Sequence, residues 1–193
     1  YSNLGDATHN NPTTYTIETP KITFEAPTTN RTGYTFASWN PASIAKGSTG
    51  NKTITANWTP KTYTVTLNPQ NGESTTSITA TYGSAMPSIA NNLPKKTGYT
   101  FGGYFKNADG TGTQYYNANG TSKTNWNIAS NTTLYAKWTE TKHSITVNAN
   151  PQSYGKVSTN SVSVGQFTSS ANITATANEG YKFVNWTATE GIT

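Results

Sequence analysis

The sequence predicts a mainly β protein, built from tandem small repeat modules with little helix. Three observations carry this reading. The pattern Gly-Tyr-x-Phe-x-x-aromatic occurs three times, at Gly33–Trp39, Gly98–Tyr104 and Gly180–Trp186. A second set of residues recurs at identical spacing: Tyr15, Pro20, Ile22 and Pro27 match Tyr82, Pro87, Ile89 and Pro94. The composition is rich in Thr, Asn, Ser, Gly and Tyr, with 32% hydrophobic and 11% charged residues. Aromatic and β-branched residues suit a pleated surface, while Asn and Gly suit turns. Self-similarity within one chain is the mark of a repeat architecture.

Taken in order, residues 1–14 are polar and punctuated by Gly5, Asn10, Asn11 and Pro12, so they read as loop. Tyr15–Ile17 and Ile22–Phe24 are expected to be short strands. In the first Gly-Tyr-x-Phe motif, Tyr34 and Phe36 share a face of a strand, but Trp39 lies three residues further on. Strict alternation therefore breaks, and a bulge or strand end is expected before it. Thr53–Trp58 closes the segment as a strand with Ile54, Ala56 and Trp58 on one face.

Pro60-Lys61 marks a boundary. Thr62–Leu67 alternates cleanly, Asn71-Gly72 is a turn signal, and Ser77–Tyr82 returns as the partner strand. Residues 84–92 form a connector in which Pro87 and Pro94 limit any helix. The second motif follows, and Thr132–Trp138 closes this copy. From Gly33 to Trp58 is 25 positions and from Gly98 to Trp138 is 40, so the second copy holds about fifteen extra residues, placed at 107–125. The first copy has no clear counterpart of Thr62–Leu67 and reads as reduced at its front. In the third segment His143–Val147 is a strand, Gly155–Val157 and Ser161–Gly165 read as a hairpin pair, and Ile173–Ala177 leads into the third motif. That segment is divergent and reads as cut at its end. The chain begins at Tyr1 without Met and reads as an excised section of something longer.

Together these residues resemble the Listeria–Bacteroides repeats, the B-repeats of internalin B type. The matching parts are Tyr63–Asn68, Asn71-Gly72, Pro94–Phe101 and Leu134–Trp138, with Gly180–Trp186 for the divergent relative. The resemblance implies a β-grasp-like module in tandem: residues 1–60 with a reduced front, 61–139 complete, and 140–193 divergent and truncated. It also implies a secreted or wall-attached bacterial surface protein, a structural role as stalk or spacer and in adhesion, neighbouring repeats of the same longer chain as partners, and an extracellular location. It brings no catalytic residue and no cofactor. Tyr104 stands where the family usually has Trp.

The functional classes narrow further on chemistry. Net charge is +5 and pI about 9.3, but Lys95-Lys96 is the only adjacent basic pair, so no nucleic-acid stripe forms. There is no Cys, hence no thiol chemistry and no disulfide framework. No apolar run reaches the roughly 20 residues of a membrane span. The two histidines, His9 and His143, lie in a polar loop and at a strand start, and the eight carboxylates do not cluster within one motif. No enzyme is expected, and no metal site. Asn107–Thr113 resembles a calcium loop only faintly, with one carboxylate where such a loop uses several; a hairpin turn is the expectation. Trp39, Trp58, Trp138 and Trp186 recur at equivalent places and are expected in the core. The alternative function is a glycan- or host-protein-binding module, with Tyr115, Tyr116 and Trp126 of the 107–126 insertion as exposed ligand-binding aromatics; the competing expectation is a lid over the repeat's own core.

Overall fold

The computed structural model describes residues 1–168 and 172–188; the expected truncated end of the third segment, beyond 188, lies outside them. The described chain is mainly β, with a single turn of 3₁₀ helix, and it divides into two compact units. One comprises residues 1–95 and 101–137, the other residues 96–100 and 138–193.

In the first unit, β1 (Ile22–Thr23), β2 (Tyr34–Asn40), β3 (Ser43–Ile44) and β4 (Thr55–Pro60) form two antiparallel pairs, β1 with β3 and β2 with β4. The β2–β4 register slips between Phe36 and Ser38, so Ala37 is the bulge that the motif's spacing requires. The slip turns Trp39 back to the face of Phe36, their rings 5.2 Å apart. Phe24, Trp39, Ile44, Ile54 and Ala56 are the buried core here, with Tyr1, Tyr15, Phe36 and Trp58 packed against it. Tyr15–Ile17 is not a strand. Thr16 instead donates its amide to the Thr19 hydroxyl and accepts from the Thr19 amide, which closes a turn.

The continuation holds β5 (Thr62–Asn68), β6 (Thr76–Thr81), β7 (Tyr99–Phe105), β8 (Gln114–Tyr116) and β9 (Thr132–Glu140). They form one sheet in the order β6-β5-β9-β7-β8. β5 and β6 are an antiparallel hairpin, whereas β5 and β9 run parallel, with Leu67 opposite Leu134. Val65, Leu67, Ala80, Leu134 and Ala136 line the buried face, as the alternation of the sequence requires. No helix forms at 84–92.

Residues 2–3 repeat a local arrangement found at 68–70. Ser2 makes a parallel bridge with Thr55, as Asn68 pairs with Tyr135 one copy later. The resemblance extends to the next turn. Asn3 and Gln70 both have positive φ, 60° and 51°. Their side-chain amides donate to the carbonyls of Ala56 and Ala136, at 2.8 and 2.6 Å. Tyr1-Ser2-Asn3 thus does locally what Leu67–Gln70 does.

In the second unit, β10 (Lys142–Thr146), a 3₁₀ turn (Gln152–Tyr154), β11 (Gly155–Val157), β12 (Ser161–Gly165) and β13 (Ala175–Ala177) are present. The expected pairing of β11 with β12 is wrong. β12 pairs with β10, burying Val162, and β11 pairs with β13. Sequence proximity misled here: residues 158–160 could close a hairpin, but Ser161–Gly165 finds a longer partner in Lys142–Thr146. Nor does the third motif form a strand over Tyr181–Trp186. Trp186 is 49% exposed, so its expected place in the core is overturned; it has no paired strand to cover it. Trp39 is buried, and Trp58 and Trp138 are half-buried. Even so, the ring pair of the motif persists in all three copies: Phe36–Trp39 at 5.2 Å, Phe101–Tyr104 at 5.3 Å and Phe183–Trp186 at 5.2 Å.

Candidate functional site

The insertion at 107–126 is where the sequence places specificity. Its aromatics are not a surface platform. Tyr115, Tyr116 and Trp126 are 1%, 0% and 0% exposed, which overturns the expected exposure and supports the lid. β8 brings Tyr116 opposite Tyr104 on β7, and Tyr115 leans on Trp126 at 5.1 Å. The polar ends are tied inward. The Tyr115 hydroxyl donates to Asn127 Oδ1 at 2.5 Å, and the Tyr116 hydroxyl donates to the Pro87 carbonyl at 2.7 Å. The Trp126 main chain is stitched to the connector through Ser84 and Gly83. Burial drove this outcome: a module with few aliphatic residues uses the insertion's rings to complete its core.

The burial shows in the phenols. Tyr104 is pushed up to about 12, first by loss of water and then by the Glu73 carboxylate. Burial likewise raises Tyr115, and burial with the neighbouring Tyr104 raises Tyr116. A phenol whose folded value exceeds its unfolded value of about 10 leaves stability intact below pH 10. As pH rises through 12, the unfolded chain ionises first and stability falls. Urea midpoints taken between pH 8 and 12 are expected to be flat to pH 10 and to decline beyond it, less steeply in Tyr104→Phe. A flat profile to pH 12 would contradict the burial of these rings.

The insertion also contains a feature that the sequence reading missed. Asn107-Ala108-Asp109-Gly110-Thr111 and Asn117-Ala118-Asn119-Gly120-Thr121 are twin turns. In each, the first residue's carbonyl accepts from the glycine amide, at 3.1 and 3.0 Å, and the glycine has φ of 74° or 78°. In each, the third residue's Oδ1 accepts from the amide and the hydroxyl of the threonine. The five-residue self-match at a spacing of ten was the available signal. Asp109 does for its turn what neutral Asn119 does for the other, so the turn needs an acceptor and not a charge. The Thr111 hydroxyl and amide hold Asp109 below the usual carboxylate range. Among the described residues, no three His, Asp or Glu gather into a metal-binding group.

Among the described residues the two histidines stand apart from any carboxylate pairing. His9 packs between Tyr1, at 3.9 Å, and Trp39, at 5.8 Å. His143 Nε2 shares a hydrogen bond with Gln166 Oε1 at 3.1 Å. The open groove beside the first core, about 500 Å³, is lined by Tyr1, Tyr15, Ile22 and Phe24 among others, with Lys52 its only charged residue. It offers no carboxylate and no imidazole to pair with that lysine.

The most distinctive local structure is the glycine turn that opens each motif. The Tyr34 amide donates to the Arg31 carbonyl at 2.9 Å, and Gly33 has φ of 79°. The Gly33 carbonyl accepts from the Lys61 amide at 2.9 Å, and the Lys61 carbonyl from the Tyr82 amide at 2.9 Å. The Tyr82 ring then lies flat over Gly33, where any Cβ would collide with it, and meets Tyr34 edge-on at 5.4 Å. Arg31 covers Tyr34 from outside at 4.6 Å. Glycine is required twice over, by its φ and by the ring above it.

Comparison with known proteins agrees with these repeats. Residues 63–137 match the Listeria-Bacteroides repeat domain, and residues 145–193 match the divergent InlB B-repeat domain. No curated protein and no solved structure matches the chain. Neither match reaches into residues 1–60. No helix among the described residues is long and apolar enough to cross a membrane. The chain belongs, over residues 63–137 and 145–193, to the Listeria–Bacteroides B-repeat family, with one standard repeat and one divergent one.

Proposed function

We propose that the chain is a non-catalytic tandem-repeat segment of a bacterial cell-surface or secreted protein, acting as stalk or spacer and in adhesion. Its modules are residues 1–60, 61–139 and 140–193, and its partners are neighbouring repeats of the same longer chain. The observation that carries this reading is the junction at Gly33, Lys61 and Tyr82. Only Lys61 separates β4 from β5, and both of its main-chain groups are engaged by the flanking copies. Such nearest-neighbour coupling suits an array that holds something at a distance. The described surface adds no poised acid, base or metal group that would favour catalysis.

The test replaces this segment, in its parent protein on the bacterial surface, with an unrelated repeat array of equal length. A spacer is expected to leave cell adhesion unchanged. Loss of adhesion, together with retention of the isolated chain on a glycan or host-protein array, would move the reading to a binding module.

A further inference from the structure

The glycine turn occurs three times, and two copies are occupied in the same way. At the second copy, Gly98 has φ of 76° and the Tyr99 amide donates to the Lys96 carbonyl at 3.0 Å. The Gly98 carbonyl accepts from the Thr141 amide at 2.8 Å, and the Thr141 carbonyl from the Gln166 amide at 3.1 Å. Gln166 and the Phe167 ring lie where a Gly98 Cβ would be, and Phe167 stacks on Tyr99 at 5.7 Å. Lys96 covers Tyr99 at 4.3 Å, as Arg31 covers Tyr34. Gly33, Lys61 and Tyr82 therefore correspond to Gly98, Thr141 and Gln166, bond for bond, although none of the last two positions keeps its residue type.

The third copy has the same turn. Gly180 has φ of 82° and the Tyr181 amide donates to the Asn178 carbonyl at 3.0 Å. The turn is held in place: Asn178 bonds Tyr154 and Ser153 through its amide and side chain, and Tyr181 stacks on Tyr154 at 4.2 Å. Yet nothing described lies within 4 Å of the Gly180 Cβ position, and Tyr181 is 50% exposed.

We propose that the Gly180–Tyr181 turn is an acceptor site for the opening strand of another B-repeat. The incoming chain donates a main-chain amide to the Gly180 carbonyl, and the residue following its hairpin covers Gly180 with an aromatic or aliphatic side chain. The occupant is fixed by chemistry. The turn presents one carbonyl, a face without a Cβ and a tyrosine ring, so it selects a backbone donor followed by a flat apolar group. Main-chain addition of this kind depends little on sequence, which fits a joint already made once with Lys61 and Tyr82 and once with Thr141, Gln166 and Phe167.

The proposal rests on the tandem-repeat reading above. It is tested with the whole 193-residue chain and the same chain extended by a copy of residues 53–139, which supplies a closing strand and a full repeat. Amide hydrogen exchange over residues 178–186 is expected to slow at least tenfold in the extended chain. Gly180→Val is expected to return it to the rate of the unextended chain carrying the same change. An appended repeat that becomes protected without slowing residues 178–186, or one that stays unprotected, overturns the proposal. Slowing of these residues by soluble glycans, with no response to the extension, overturns it too. Loss of adhesion in the replacement experiment would sink the spacer role and leave these exchange rates unaffected, so the two failures are distinguishable.

Discussion

Trp126→Ala is expected to unfold most of residues 61–137. The indole is fully buried against Tyr115, and its main chain ties the insertion to Ser84 and Gly83. Removing a buried Trp costs about 3–5 kcal/mol, against a total stability of about 5–15 kcal/mol for an ordinary domain. A module that relies on so few rings has little to spare. Chemical denaturation followed by circular dichroism should show the loss, and Phe101→Ala, which removes the buried ring beside Tyr104, should approach it. Trp126→Phe supplies the contrast. Trp126 Nε1 is buried without a hydrogen-bond partner among the described residues. A buried unsatisfied donor costs about 1–3 kcal/mol, so the phenyl ring recovers part of what its smaller volume loses. A Trp126→Ala loss below about 1 kcal/mol would contradict this account of the core.

Gly33→Ala is expected to be strongly destabilising for a single added methyl group. A left-handed φ costs an L-residue about 1–2 kcal/mol wherever it occurs. At Gly33 the methyl group also meets the Tyr82 ring. The two costs separate in a double-mutant cycle. In a Tyr82→Ala background the φ cost remains and the collision is gone, so coupling of about 1–3 kcal/mol is expected between the two sites. Additive losses would mean that Tyr82 does not cover Gly33. Gly180→Ala is the internal control: φ is alike and the space is open, so only the φ cost is expected.

The success of the sequence reading follows from how local each signal is. Thr62–Leu67 alternates so regularly that its strand, its turn at Asn71-Gly72 and its buried face were all legible. The three-residue step from Phe36 to Trp39 demanded a bulge, and the bulge is at Ala37. Pairing was less legible, because it depends on competition. Gly155–Val157 had a near partner in sequence and took a distant one. The same holds for the candidate site. Tyr115 and Tyr116 sit among polar residues, which suggests exposure, but β8 delivers both to a core that the sequence could not show was short of side chains. The likeness of Ser2–Asn3 to Asn68–Gln70 escaped notice because it consists of one bridge and one side-chain amide, neither of which has a pattern. The glycines were visible from the start, as a motif; their covering rings were not, because Tyr82 and Phe167 lie 49 and 69 positions downstream of the glycines they cover.

The single-residue junction has a consequence for how such a chain is cut. Proteases need a segment that can be drawn out into the enzyme's cleft, and domain boundaries usually provide one. Lys61 is exposed and would be a trypsin site by sequence, but its amide and carbonyl are both bonded and strands run on from either side. Limited digestion will therefore nick this protein in loops such as 45–53 before it cuts after Lys61. Fragments from such a digest mark the loops, and intact repeats cannot be harvested from the boundary where a map of the modules would place the knife.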